Sequence, residues 1–228
     1  MDSIKTLYHG SRGIIKKPEF GKGNPQNDYG LGFYCTEDLE LAREWASADR
    51  RGGFANIYTI DTTGLAILNL SELHYGTLDW LAVLVNNRVL DIKNDIAANA
   101  KDYLTAHFLP DVAAHDAVVG YRADDSYFAF AMDFLNNAIS LRQLSRAMRL
   151  GMLGEQFVLK SRKAFDSLRF VRSEPVNGEI YYARRMRRDR EARDDYLKRE
   201  RNVIPIADEI FMLDVLREEM RPGNARLP

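Results

Sequence analysis

Short runs of hydrophobic residues, either alternating with polar residues or bounded by them, recur along the chain. Both patterns are typical of β-strands. They predict strands over Ile4–His9, Phe33–Cys35, Ala55–Ile60, Leu65–Leu70, Asp116–Gly120 and Glu155–Lys160. Gly10-Ser11 is expected to turn the chain after the first strand, and the glycine-rich residues 12–32 are expected to form a loop.

Hydrophobic residues spaced three and four apart predict helices between and after these strands. Thr36 is expected to be the N-cap of a helix that has acidic residues in its first turn and extends to about Asp49. Further helical patterns cover Leu78–Phe108, two segments within 127–150 of which the second begins at Ser140, Lys163–Leu168, Tyr181–Arg201 and Ile210–Met220. Because strands and helices do not alternate regularly, the pattern favours an α+β fold over a doubly wound sheet.

Composition narrows the classes of protein that fit this pattern. The chain has 228 residues, 46% of them hydrophobic, which is enough for a substantial core. A net charge of −1 excludes a globally basic nucleic-acid binder. The single cysteine, Cys35, excludes an intramolecular disulfide and is expected to be a small strand residue. The four histidines do not have metal-ligand spacing, so we expect no metal site.

The ends of the chain suggest its location and its organisation. The first residues lack the apolar core of a signal peptide, and no stretch of about 18 residues is uninterruptedly apolar, so we expect a cytoplasmic protein that does not enter a membrane. Tyr181–Arg201 has nine Lys and Arg against five Asp and Glu. We predict a domain over residues 1–174 and a charged helical extension over 175–228. The extension is interpreted as a solvated, self-bridged helix, with partner docking as the functional alternative.

Three short motifs carry candidate chemistry, and each also has a structural interpretation. Leu7–Ser11 places His9 and the backbone of Gly10 at the end of a strand, where a ligand can reach them; a structural histidine fits the same pattern. Asp28–Thr36 contains two glycines one residue apart, which permit close backbone approach by a ligand. It lacks the third glycine of a dinucleotide fingerprint, which excludes a Rossmann-type site.

Aromatic and amide side chains complete the second and third motifs. Tyr34 follows the two glycines and Trp45 lies on the next helix, either as core aromatics or as a pair that stacks on a ligand. The third motif, Gly154–Lys160, opens with Glu155 and Gln156. Their side chains point to opposite faces of an extended strand, so only one of them can enter a given site.

Together the three motifs resemble the ADP-ribosyltransferase superfamily, in the branch that includes diphtheria toxin and the poly-ADP-ribose polymerases. The shared pattern is His-Gly-Ser/Thr, then Gly-x-Gly-apolar-Tyr-x-small, then an acid or amide that opens a late strand. The order LYHGS, DYGLGFYCT, HDAVVGYRADD and a Gln-bearing strand before KAFDSL is most similar to the DUF3990 family. The resemblance covers roughly residues 4–172. It implies an α+β core of two packed antiparallel sheets surrounded by helices.

The resemblance also implies NAD as a substrate and roles for individual residues. His9 would hydrogen-bond a ribose hydroxyl, and the backbone of Gly10 would hold the carboxamide, which needs one donor and one acceptor. Tyr34 would stack on the nicotinamide ring, with Trp45 closing its other face. The glycosidic bond would break through an oxocarbenium-like state without a metal. The implied NAD-binding residues are His9, Gly10, Ser11, Gly32, Tyr34, Trp45 and Asp125.

The third motif leaves its catalytic residue open. The wider superfamily favours Glu155 at this position, whereas the closer family favours Gln156. A glutamine can orient a ribose but cannot act as a general base, so another acid would have to supply one. Asp124 and Asp125 are candidates, although a solvated turn in which Asp125 caps the next helix fits equally. Asp28 is expected to be a turn former.

The function implied by the resemblance is mono-ADP-ribosylation of a macromolecular acceptor, either protein or nucleic acid. Such an enzyme would be a bacterial or phage toxin, effector or defence factor, and a cognate antitoxin is a partner implied by the same analogy. The alternatives are an NAD glycohydrolase, in which water is the acceptor, and a degenerate protein that binds a nucleotide or a partner without turnover. Because no motif lies beyond Lys160, the extension is expected to be dispensable for nicotinamide release.

Overall fold

The computed structural model describes residues 3–72, 75–123, 125–150 and 154–227, with only the backbone described for Asp125 and Ser126. In chain order its elements are β1 (Ile4–Ser11), β2 (Phe33–Cys35), α1 (Leu39–Ala46), β3 (Gly53–Asp61), β4 (Ile67–Asn69), α2 (Thr77–Asn87), α3 (Asp95–His107), β5 (Ala117–Tyr121), α4 (Asp125–Leu135), α5 (Leu141–Ala147), β6 (Glu155–Leu159), α6 (Arg162–Ser167), β7 (Leu168–Val176), α7 (Gly178–Tyr196) and α8 (Met212–Arg217). The strands form two sheets among helices, so the predicted α+β class is confirmed. Within the described ranges, no helix is both long and apolar enough to cross a bilayer.

The first sheet has the strand order β1-β3-β7 and is antiparallel throughout. β1 pairs with β3 along its whole length, from Ile4 opposite Asp61 to Ser11 opposite Phe54. Gly10-Ser11 therefore continues the strand, and the turn predicted there is wrong. The physical reason is that β3, which is distant in sequence, supplies backbone pairing for both residues.

The second sheet has the order β2-β6-β5-β4, and its β4–β5 pair is parallel. The expectation of two wholly antiparallel sheets is therefore wrong at this pair. Between β4 and β5 the chain forms α2 and α3, and parallel strands require a crossover connection of this kind. Asp116 supports the start of the pair, because its carboxylate accepts a hydrogen bond from the backbone N–H of Ala66 at 2.9 Å.

Hydrophobic side chains cover both faces of the second sheet. The cluster between the two sheets includes Leu7, Cys35, Tyr58, Phe157 and Leu159. On the opposite face, Val118 and Val158 belong to a larger cluster with buried residues of the helices α2, α3, α4, α5 and α8. Cys35 is the small buried strand residue that its position predicts, and burial raises the pKa of its thiol.

α1 begins after Asp38, which is its N-cap in place of the predicted Thr36. The Asp38 carboxylate accepts hydrogen bonds from the backbone N–H groups of Glu40 at 2.8 Å and Leu41 at 3.3 Å. Thr36 instead exchanges backbone hydrogen bonds with Tyr8 and so links β2 to β1. This long-range bridge holds Thr36 in an extended conformation, which is why the predicted N-cap is wrong.

The residues beyond 174 pack against the rest of the chain. Tyr196, Met212, Val215 and Met220 are at most 4% exposed and lie in the cluster formed by α2, α3, α4 and α5. β7 also continues past residue 174, to Val176. The division of the chain at residue 174 stays a prediction, but the described C-terminal residues contribute directly to the main core.

The charged helix α7 also pairs with α1. Arg184 lies 2.7 Å from a carboxylate oxygen of Glu40, and Arg188 forms an ion pair with Glu44. The predicted ion pairs within this helix are present for some residues, such as Arg193 and Asp189, which lie 3.0 Å apart. The interpretation as a self-bridged helix is wrong for the arginines that face α1, because packing brings the two helices together.

Candidate functional site

A cavity of about 220 Å³ lies beside the helical face of the second sheet. Tyr34 on β2 pairs with Val158 on β6, and Gln156, two residues before Val158, shares its face. Both side chains therefore reach the same cavity, and α1 supplies Trp45. The residues that line it are Asn27, Asp28, Tyr34, Trp45, Arg88, Arg122, Ala123 and Gln156.

The hydroxyl of Tyr34 closes the loop that precedes its own strand. It donates a hydrogen bond to the carbonyl of Gly30 at 2.6 Å and accepts one from the backbone N–H of Tyr29 at 3.0 Å. Burial raises the pKa of this phenol, so it stays protonated. Lys160 holds the same loop, because its Nζ donates to the carbonyls of Tyr29 at 2.5 Å and Leu31 at 2.6 Å.

Close packing of the backbone explains two of the motif glycines. A Cβ on Gly10 would lie 1.9 Å from the carbonyl oxygen of Ala42 in α1. A Cβ on Gly32 would lie 2.8 Å from the carbonyl oxygen of Leu159 in β6. In both cases the approaching group belongs to the chain itself, so these glycines are needed whether or not a ligand binds.

The backbone of Gly10 nevertheless faces the open edge of its sheet. Tyr8 exchanges hydrogen bonds with Thr36 at 2.8 and 2.9 Å, on the side of β1 opposite to β3. Residues two apart in a strand direct their backbone groups to the same side, so the N–H and C=O of Gly10 also point away from β3. A Cβ on Gly10 would lie 2.8 Å from Cβ of Trp45, so Gly10 packs next to a residue whose side chain lines the cavity.

His9 lies on the other face of β1, outside the cavity lining. Its ring centroid is 4.4 Å from that of Phe33, and its Nδ1 is 2.6 Å from the carbonyl oxygen of Tyr34. Because a carbonyl only accepts, Nδ1 carries the proton and Nε2 is left as an acceptor in the neutral ring. Burial lowers the pKa of this imidazole and favours that neutral form. Ser11 donates to the carbonyl of Gly13 and so serves the adjacent loop.

Strand alternation separates the environments of Glu155 and Gln156. Gln156 is 5% exposed; its Nε2 donates to Oδ2 of Asp28 at 3.2 Å, and its Oε1 meets no hydrogen-bond donor among the described residues. Glu155 is exposed and accepts a hydrogen bond from the hydroxyl of Ser71. Both border a second groove of about 410 Å³ beside Thr36. Gln156 thus lies between the cavity and the groove, whereas Glu155 lines the groove but not the cavity.

Two arginines of the cavity were not singled out by the sequence. The guanidinium of Arg122, just after β5, lies 5.1 Å from the centre of the Trp45 ring, whose Nε1 is buried without an acceptor among the described residues. Arg88, just after α2, lies 5.1 Å from the ring centre of Phe128 and 3.6 Å from Oδ1 of Asp28. Arg122 directly follows an apolar strand, as candidate ligand-binding residues often do, but nothing local in the sequence marks Arg88.

Asp28 is a buried member of the site as well as part of a turn. It is 5% exposed, and its Oδ2 accepts a hydrogen bond from the backbone N–H of Ala123 at 3.0 Å. Burial raises the pKa of its carboxyl, and the Ala123 N–H and Arg88 oppose this shift. Of the acids proposed from sequence, Asp124 and the side chain of Asp125 lie outside the described residues. No group of three His, Cys, Asp or Glu side chains that could share a metal ion occurs in the described part of the chain.

Comparison with known proteins places the chain in one family. The model of a family described as "Protein of unknown function (DUF3990)" matches residues 5–170, which include all three motifs. No curated protein and no solved structure matches the chain.

Proposed function

We propose that this chain, which belongs to the DUF3990 family, is an NAD-dependent mono-ADP-ribosyltransferase that transfers ADP-ribose to a macromolecular acceptor. The observation that carries the proposal is the convergence of Tyr34, Trp45 and Gln156 on one cavity. These residues come from three segments of the chain. Tyr34 and Trp45 have aromatic rings suited to nicotinamide, and Gln156 has an amide suited to a ribose hydroxyl.

The size of the cavity suits the nicotinamide end of NAD. At about 220 Å³ it is smaller than the roughly 300–1,000 Å³ of sites that enclose a whole ligand. This volume suits one flat heteroaromatic ring, and the lining residues Tyr34 and Trp45 have side chains that favour contacts with such a ring. The neighbouring groove of about 410 Å³ would then hold the ribose and the acceptor. Gln156 borders both spaces, so the bond to be broken would lie beside it.

Polar groups within and outside the cavity lining suit the carboxamide and the ribose. Gln156 lines the cavity, whereas Gly10 and His9 lie outside its lining. A carboxamide needs one acceptor and one donor, and the N–H and C=O of Gly10 offer this pair on the open edge of β1. Oε1 of Gln156 and Nε2 of neutral His9 are acceptors, so each is suited to a ribose hydroxyl, which donates. Tyr34 remains a neutral ring because burial raises the pKa of its hydroxyl.

The reaction breaks the bond between the nicotinamide nitrogen and the ribose, and the bonding electrons leave with nicotinamide. The ribose develops oxocarbenium character, as it does in glycosidases. The acceptor then attacks its anomeric carbon, forms the new bond and releases its proton to solvent. A hydrogen bond from the ribose hydroxyl to Gln156 would strengthen as positive charge develops on the ring. Gln156 cannot take a proton from the acceptor, so the amide serves orientation and charge stabilisation.

The test is release of nicotinamide from NAD labelled in the adenylate part, with and without a cell extract. Release with label transferred to macromolecules is the expected result, and separate digestion with protease and nuclease then identifies the acceptor class. Release without transfer would indicate a glycohydrolase, and binding without release would indicate a degenerate member. Trp45→Ala should lose nicotinamide release. Asp116→Asn should retain it, because Asp116 precedes β5 whereas the cavity lies at the end of that strand.

A further inference from the structure

We infer that Asp28 is a positioning residue that fixes the amide of Gln156, so that Gln156 presents its carbonyl oxygen to the substrate as an acceptor for a ribose hydroxyl. This inference rests on the proposed function, and it adds a residue from the loop before β2 to the site. It also defines the ligand group recognised at this point as a hydrogen-bond donor.

The hydrogen bonds of Asp28 determine which way the amide points. Oδ2 of Asp28 accepts hydrogen bonds from the backbone N–H of Ala123 at 3.0 Å and from Nε2 of Gln156 at 3.2 Å. An ionised carboxylate can only accept hydrogen bonds, so the amide nitrogen of Gln156 must face it. The amide oxygen is therefore directed elsewhere, and Arg88, 3.6 Å from Oδ1 of Asp28, supports the ionised form.

The amide oxygen of Gln156 is the atom left for a ligand. Gln156 is 5% exposed and lines the cavity, yet its Oε1 meets no donor among the described residues. Buried polar atoms without a hydrogen bond are rare in folded proteins, and each one calls for an explanation. A ribose hydroxyl in the adjoining space would supply the missing donor.

The pairing also accounts for an amide, rather than an acid, at position 156. A carboxylate there would lie within hydrogen-bond distance of Asp28, and two such groups cannot both ionise readily. Among the described residues, the other titratable or charged groups facing Asp28 are Tyr29 and Tyr34 from the loop and β2, Arg88 after α2 and Arg122 after β5. Burial raises the pKa of both tyrosine hydroxyls, so these stay neutral, and the pH dependence expected at this place comes from the two carboxyl groups.

The first test separates positioning from proton transfer. Asp28→Asn keeps an oxygen that can accept from Ala123 and Gln156, so it should retain most of the turnover that Asp28→Leu loses. Asp28→Leu removes that oxygen, and kcat should fall about tenfold or more while KM for NAD changes less. In a Gln156→Ala background, Asp28→Leu should cause no further loss of kcat. An inactive Asp28→Asn enzyme, or multiplicative losses in the double variant, would overturn the inference.

Asp116→Leu is the matched control, since Asp116 also accepts a backbone N–H at one end of β5, from Ala66 at 2.9 Å. It should lower the melting temperature without lowering kcat. This control distinguishes loss of a carboxylate that accepts a backbone N–H in general from loss of the one that faces Gln156.

A second test does not depend on activity or on the folding of Asp28→Leu. Gln156→Glu places two carboxyl groups together, so its melting temperature should fall relative to wild type as pH rises from about 5 to about 8. A melting curve with the pH dependence of the wild type would overturn the pairing. Absence of nicotinamide release by the wild type would instead refute the proposed function, so the two failures are distinguishable.

Discussion

Two buried glutamines, Gln143 and Gln156, differ in how much of their hydrogen-bonding capacity the protein uses. Gln143 is 4% exposed; its Oε1 accepts from the backbone N–H of Ser140 at 2.8 Å, and its Nε2 donates to the carbonyls of Val203 at 3.2 Å and Glu200. Gln156 is 5% exposed, and within the described residues only its Nε2 is hydrogen-bonded, to Asp28.

The difference separates a structural amide from a candidate binding amide. Gln143 caps α5 and holds the segment after α7, and both ends of its amide are engaged. Gln156 has the same chemistry and burial, but its amide oxygen has no donor among the described residues and its side chain lines a cavity. Burial of a polar residue therefore does not identify a site by itself; unused hydrogen-bonding capacity beside a cavity is the more informative observation.

The largest effect is expected from removing the segment that Gln143 holds. A chain that ends at residue 174 lacks Val203, and it also lacks the core residues Tyr196, Met212 and Met220. The absence of motifs beyond Lys160 favours dispensability, but this packing leads us to expect loss of folding. Circular dichroism and a melting curve of the truncated chain check this. A folded truncation that still releases nicotinamide would show that α2, α3, α4 and α5 are stable without the C-terminal segment.

Gln156→Ala should have the largest effect on activity among single substitutions at the two glutamines. In the proposed reaction it removes an acceptor whose hydrogen bond would strengthen as the glycosidic bond breaks, so kcat should fall about tenfold to a thousandfold. Glu155→Ala, an exposed strand position, should change turnover little. Both are measured as nicotinamide release under saturating NAD. An inactive Glu155→Ala enzyme beside an active Gln156→Ala enzyme would assign the third motif to Glu155.

Much of the fold, but less of the site, could be predicted from the sequence. The strands were recognisable because hydrophobic alternation is local, and Ser140 was recognised as an N-cap because capping is local as well. Thr36 and Gly10 were predicted wrongly, because their conformations depend on Tyr8 and β3, which lie far away in sequence. The parallel pairing of β4 with β5 has no local signature either.

Asp28 shows why the site was harder to predict than the fold. The local sequence predicts that Asp28 lies in a turn, and the structure agrees with this part of the prediction. Its burial depends on Arg88, Ala123 and Gln156, which the fold brings together from three different elements. Tyr34 and Trp45 were identified only through the resemblance of their motif, since a core aromatic has the same local pattern.

Gln143→Ala should affect stability and leave activity intact. The substitution leaves the backbone N–H of Ser140 and the carbonyls of Glu200 and Val203 without this side chain, at a cost of about 1–3 kcal/mol. Chemical denaturation measures the loss, and nicotinamide release per folded molecule should match the wild type. A reduced kcat in fully folded Gln143→Ala would contradict the separation between the two glutamines.

The smallest expected effect concerns His9. Like Gln156, it uses only part of its hydrogen-bonding capacity within the described residues, because Nδ1 donates to the carbonyl of Tyr34 and Nε2 is left as an acceptor. Burial lowers the pKa of the folded imidazole below its ordinary value of 6.5. The neutral ring therefore contributes stability that is fully present above pH 6.5 and is lost as the pH falls through 6.5 toward the folded pKa.

His9→Gln keeps an N–H donor for the Tyr34 carbonyl but does not titrate. Between about pH 7.5 and about pH 5.5, the melting temperature of the wild type should fall more than that of His9→Gln. The remaining histidines are common to both proteins, so their contributions cancel in the difference. Equal shifts in the two proteins would mean that His9 accepts a proton in the folded state as readily as in the unfolded chain, and its role as a neutral acceptor for ribose would then be untenable at mildly acidic pH.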